Sequence, residues 1–109
     1  MYERIGTLIE RLLERTKTKA LKWEQNPSKN FEASFPNYTV ELAACDQIIC
    51  LQIYNDEGEV LESTTTAQLN GTADLYKHAN QLENLYEMAR RTALGSDQAV
   101  ESLIAALED

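Results

Sequence analysis

Between Phe31 and Ser63 apolar residues fall at nearly every second position: Phe31, Ala33 and Phe35, then Tyr38, Val40 and Leu42, then Ile49, Leu51 and Ile53. A period of two is that of a strand with one buried face, and no helix presents it. Pro36-Asn37, Asp46-Gln47 and Asp56-Glu57-Gly58 interrupt the pattern and cut it into four short strands, over 31–35, 38–45, 48–54 and 59–63. Asn55-Asp56-Glu57-Gly58 matches a type I turn followed by a left-handed glycine. A tight turn at Asp46-Gln47 would set Cys45 opposite Ile48 and Cys50 opposite Ala43, so these two cysteines are not expected to pair. They read as buried free thiols acting as small hydrophobes. With a single histidine and no Cys-x-x-Cys spacing, no zinc site and no cofactor is expected.

The flanking segments have helical periodicity and must lie on this sheet. Ile5, Leu8, Ile9, Leu12 and Thr16 form one face of a helix from Tyr2 to about Lys19. Trp23 follows in an extended or turning segment and is expected to plug one end of the core. Residues 25–30 are a loop by composition, and 64–71 read as a long polar connection. Thr72 can cap a second helix to about Leu94, with Leu75, Ala79, Leu82, Leu85/Tyr86, Ala89 and Ala93 as its apolar stripe. Gly95 is placed to end it in the left-handed conformation, and Ser96 to cap a last helix carrying Val100, Leu103, Ile104 and Leu107. The expectation is therefore one α+β domain over residues 1–109. It has an N-terminal helix, a four-stranded antiparallel meander and two C-terminal helices, all on one face of the sheet.

Length adds a consequence. A second helix of 22 or 23 residues would be roughly 33–35 Å long, whereas strands of about seven residues span some 23 Å. Its far end, with Tyr86, Met88, Arg90 and Arg91, would overhang the sheet and pack on the last helix, on another subunit or on a partner, and these residue types favour a homodimer or partner contact.

The charge distribution is uneven. The net charge is −8, yet residues 1–29 carry a net +3, residues 30–76 contain eight acids and no Lys or Arg, and residues 77–109 carry −3. Strand alternation sends Glu32, Ser34, Thr39, Glu41, Gln52 and Tyr54, with Glu59 at the margin, to the face away from the helices. That face would offer acids for steering and a tyrosine for a desolvated contact with a basic protein surface. A blander account is that sheet acids block edge aggregation and the basic first helix neutralises them. The acidity argues against direct binding to nucleic acid. No apolar run approaches the roughly 18–20 residues of a membrane span, and the first residues lack a signal-peptide core. A cytoplasmic location is the expectation.

Catalytic chemistry finds little footing. His78 flanks the buried stripe with only Asp74 near it in sequence, and the acid pairs sit where water solvates them. No nucleophile elbow, phosphate-binding glycine loop or His-Glu-x-x-His occurs. The chain reads as non-enzymatic, with no catalytic residue. The alternative is a small-molecule or nucleotide sensor, with a pocket between Trp23, residues 64–70 and the second helix. The order helix, Thr18-Lys19-Ala20-Leu21-Lys22-Trp23, strands with Asp-Glu-Gly, then Leu85-Tyr86-Glu87-Met88-Ala89-Arg90 resembles short uncharacterised bacterial proteins of mobile-element or conflict-related gene sets. That resemblance implies an inhibitor, immunity protein or regulatory adaptor and transfers no functional residue.

Overall fold

The computed structural model describes residues 2–71 and 75–108. The elements in order are α1 (Tyr2–Lys17), β1 (Glu24–Gln25), β2 (Phe31–Ser34), β3 (Tyr38–Cys45), β4 (Ile48–Asn55), β5 (Val60–Thr65), α2 (Thr66–Asn70), α3 (Tyr76–Leu94) and α4 (Ser96–Glu108). The strands form one antiparallel meander in the order β1-β2-β3-β4-β5. The fold is α+β as expected, with five strands instead of four. The addition, β1, pairs Glu24 with Glu32 and Gln25 with Phe31.

Alternation places the core as the sequence implies. Phe31, Ala33, Val40, Leu42, Ile49 and Leu51 are buried beneath α1 and α3, together with Ile5, Ile9, Leu12, Leu82 and Leu85. The register across β3 and β4 sets Cys45 opposite Ile48 and Cys50 opposite Ala43. Asp46 and Gln47 both adopt positive φ, 50° and 70°, the conformation of a tight two-residue hairpin. Gly58 takes φ +83° in the next hairpin, and its N–H donates to Asn55 O at 3.1 Å. The thiols are less buried than expected: Cys45 is exposed beside its turn, and Cys50, with Ala43 on the open face, is half-buried.

One buried side-chain bond ties the first helix to the segment that leads into β1. Thr16 Oγ1 donates to Leu12 O at 2.7 Å and accepts the Trp23 indole N–H at 2.9 Å, both buried. Trp23 is thus core, only 2% exposed. Beyond α1 the chain closes in a left-handed cap at Lys19 (φ 62°), where Ala20 N donates to Arg15 O and Lys19 N to Thr16 O. Gly6 lies where α1 meets α3, and a Cβ there would stand 2.5 Å from His78 Nε2. Its place inside a helix, which costs about 1 kcal/mol against alanine, follows from this close approach.

Three expectations are corrected. The polar connection over 64–71 is no loop: β5 runs to Thr65, which caps α2 in a box with Gln68, and Leu69 and Thr66 are buried. Phe35 and Tyr38, expected to be core, are 40% and 51% exposed, because α1 does not cover that end of the sheet. The last helix does not lie on the sheet. Among the described residues its main contact is with α3 and none of its residues is buried, so Val100, Leu103, Ile104 and Leu107 are 47–84% exposed. The particle is correspondingly long, 54 × 34 × 27 Å. Gly95 ends α3 at φ 68° as expected, its N–H shared between Arg91 O and Thr92 O. The predicted cap at Thr72, and Asp74, lie outside the described residues. No described helix is long and apolar enough to cross a membrane.

Candidate protein-interaction site

The open face is built from the register. Glu24, Glu32, Glu41, Gln52 and Ser63 stand opposite one another across all five strands, and Ser34, Thr39 and Tyr54 form the next row. Three carboxylates are thus consecutive cross-strand neighbours, an arrangement that like-charge repulsion disfavours. Neutral donors hold it. Asn26 Nδ2 donates to Glu41 Oε2 at 2.7 Å and to Glu32 Oε2 at 3.4 Å. Asn30 Nδ2 reaches the same Glu41 oxygen at 3.3 Å, and the Tyr54 hydroxyl donates to Glu41 Oε1 at 2.8 Å.

Both asparagines belong to the β1–β2 hairpin, which residue composition had marked only as a loop. Asn26 Oδ1 accepts from the N–H groups of Ser28 and Asn30 at 3.1 and 3.0 Å, and Lys29 turns the chain with φ 66°. The Asn-Pro-Ser-Lys-Asn stretch signals such a side-chain-closed turn. What the sequence does not carry is that the turn folds its amides over a glutamate on a different strand.

Tyr54 Oη also lies 2.6 Å from the Gln52 side-chain oxygen position. A phenol has one proton, and Glu41 takes it, so the Gln52 amide is best turned over to donate its NH2 to Oη. Burial, the Glu41 hydrogen bond and the charges of Glu41 and Glu32 all push the Tyr54 hydroxyl above its ordinary value. At neutral pH it is therefore a neutral donor. Glu32, Thr39, Glu41, Tyr54, Asn55, Asp56 and Gly58 together line an open concavity of about 390 Å³. Lys22 is the one cation paired nearby, 3.3 Å from Glu24 and exposed to solvent.

The remaining candidates fall elsewhere. Glu59 is in the turn before β5, where it accepts from Asn55 Nδ2 at 2.9 Å, and it is not part of the glutamate row. Tyr86 and Met88 do not overhang. Both pack half-buried on the core, and Tyr86 meets the Phe31 ring edge-on at 5.6 Å. The reason is the unexpected β1, which α3 crosses together with β2 and β4. Arg90 bonds Glu87 at 2.7 Å and holds its carboxyl below the usual range, and Arg91 pairs with Asp97.

His78 is buried at the crossing of α1 and α3, its Nδ1 2.6 Å from Gln81 Oε1 and 3.7 Å from Glu10 Oε1. None of the described grooves is lined by it, by Trp23 or by a residue of 64–70, and Trp23, Thr64, Thr66 and Leu69 are buried. Among the described residues no group of three or more His, Cys, Asp or Glu is arranged to hold a metal. Compared with family models, curated proteins and solved structures, the chain matches none.

Proposed function

We propose that this is a non-enzymatic binding protein whose open sheet face docks a basic surface of another protein, in the manner of an inhibitor, immunity protein or regulator. The observation that carries this reading is the glutamate row, aligned across β1, β2 and β3, in which Asn26, Asn30 and Tyr54 hold Glu32 and Glu41 with no cation paired to either among the described residues. Acids whose only task is to discourage edge pairing need no fixed orientation, and they belong on edge strands. Glu41 is on the central strand. Amide and phenol donors leave the negative charge in place while locking the oxygens, so a guanidinium or ammonium group finds its acceptors preorganised. The concavity beside Glu41 has room for such a side chain, and Tyr54 gives it an aromatic wall.

The test is capture of the partner from the native cell, followed by Glu32→Lys with Glu41→Lys in a chain whose fold is checked by circular dichroism. The reading expects affinity to fall at least about a hundredfold and the salt dependence to flatten, since reversing charges that face a basic partner costs 2–5 kcal/mol or more. Unchanged affinity and unchanged salt dependence in the folded double variant would refute it.

A further inference from the structure

The helix α4 is apolar on one side, and among the described residues that side is left exposed. On a helical projection of 100° per residue, Val100, Leu103, Ile104 and Leu107 occupy an arc of about 100°. Asp97, Glu101 and Glu108 fall within about 40° of each other, directly along one edge of that arc. Between residues 96 and 109 there is no Lys, Arg or His.

The same chain carries a surface of matching character. Where α1 leaves the end of the sheet uncovered, Leu8, Phe35, Tyr38, Val40 and Ile53 line an open, wholly apolar groove of about 390 Å³. It continues through Leu8 and Phe35 into a second stretch of about 300 Å³ floored by Leu12 and Leu21 and flanked by Arg11 and Arg15. Arg15 has no ion pair among the described residues, and Arg11 has only a loose, exposed one with Glu14 at 3.8 Å.

We propose that α4 of one copy seats in this groove of a second copy, apolar arc down and Glu101 and Glu108 toward Arg11 and Arg15, in a reciprocal two-fold dimer. Charge selects this occupant over the others. Two α4 helices packed on each other would bring acids together with no base to offset them. An anionic membrane favours Lys and Arg on the polar face of an interfacial helix, and α4 has neither. The chain's own groove is out of reach, because Gly95 alone separates α3 from α4. The Gly95 cap, the Ala99 N–H to Gly95 O bond at 3.0 Å and the Arg91–Asp97 pair together set the exit direction. Closure as a pair follows from position: Leu21 borders both the groove and the root of α4 beside Gly95, Asp97 and Gln98, so one two-fold contact can engage both helices.

Sedimentation of the full chain from micromolar to millimolar concentration tests this. Wild type should dimerise, and Leu103→Asp alone, or Arg11→Glu with Arg15→Glu, should each weaken association at least about tenfold. All three positions are exposed, and circular dichroism confirms the fold of each variant. A further arm gives the pairing its specificity. Adding Glu101→Arg and Glu108→Arg to the double arginine variant should restore the dimer. A wild-type monomer at all concentrations overturns the proposal. A dimer that survives the arginine reversals overturns it equally, because helix-to-helix pairing would behave that way.

Discussion

Three buried threonines, given the same substitution, should answer with different signs. Thr16, Thr64 and Thr66 are all under 5% exposed, and valine replaces threonine at nearly equal volume. Thr64 is on the core face of β5 opposite Leu51, fully buried, and its hydroxyl has no hydrogen-bond partner among the described residues. Burying an unpaired hydroxyl costs about 1–3 kcal/mol, so Thr64→Val should stabilise the fold by about 1–2 kcal/mol. At 4–8 °C per kcal/mol in a domain of this size, the melting temperature should rise by roughly 4–15 °C. Thr66 Oγ1 instead accepts the Ile49 N–H at 3.1 Å, and Thr16 both donates to Leu12 O and receives the Trp23 indole. Thr66→Val and Thr16→Val should each lower stability by about 1–3 kcal/mol by leaving a buried donor unpaired. Thermal melts and urea titrations of the three variants are sufficient. If Thr64→Val melts at or below wild type while the other two fall, the Thr64 hydroxyl is paired in solution and the accounting fails.

Leu51→Ala, which empties a fully buried site at the middle of the sheet, should cost about 2–5 kcal/mol by urea titration. Lys19→Gly should raise stability by up to about 1 kcal/mol, because Lys19 holds φ 62° in the cap after α1, a conformation a Cβ opposes. Tyr54 should titrate above the ordinary tyrosine value, read as the tyrosinate absorbance missing from Tyr54→Phe, and Glu41→Gln should bring it back toward that value. Since folding raises this pKa, its stabilisation is complete below the unfolded value near 10 and is lost as pH climbs through the folded one.

Alternation made the sheet and its two faces legible, because a period of two fixes which side each residue takes from Phe31 to Ile53. It also placed Glu32, Glu41, Gln52 and Tyr54 on one surface before any coordinate did. Alternation does not say how far the covering helices reach, and so Phe35 and Tyr38 face the correct side and remain exposed. The strand β1 had no signature: two exposed polar residues form it, and only pairing with β2 makes them a strand. The short helix α2 did have one, since Thr65-Thr66-Ala67-Gln68 is the spacing of a capping box, but its polar run reads equally as a connection. For α4, amphipathicity reports an apolar stripe and is silent on which surface meets it. Asn26 and Asn30 escaped notice because a loop's composition shows that it turns and not where its amides point.

The bond between Trp23 and Thr16 gives the molecule an optical gauge. This is the only tryptophan in the chain, and its indole sits at the joint where the first helix meets the edge of the sheet. Its emission should be that of a dry, hydrogen-bonded ring, and it should shift to the red when that joint opens. A ligand on the glutamate face, on the far side of the sheet, would leave the signal nearly constant. Lifting α1 from the core would change it at once, so fluorescence can separate binding at the acidic surface from loss of the helical layer without any label.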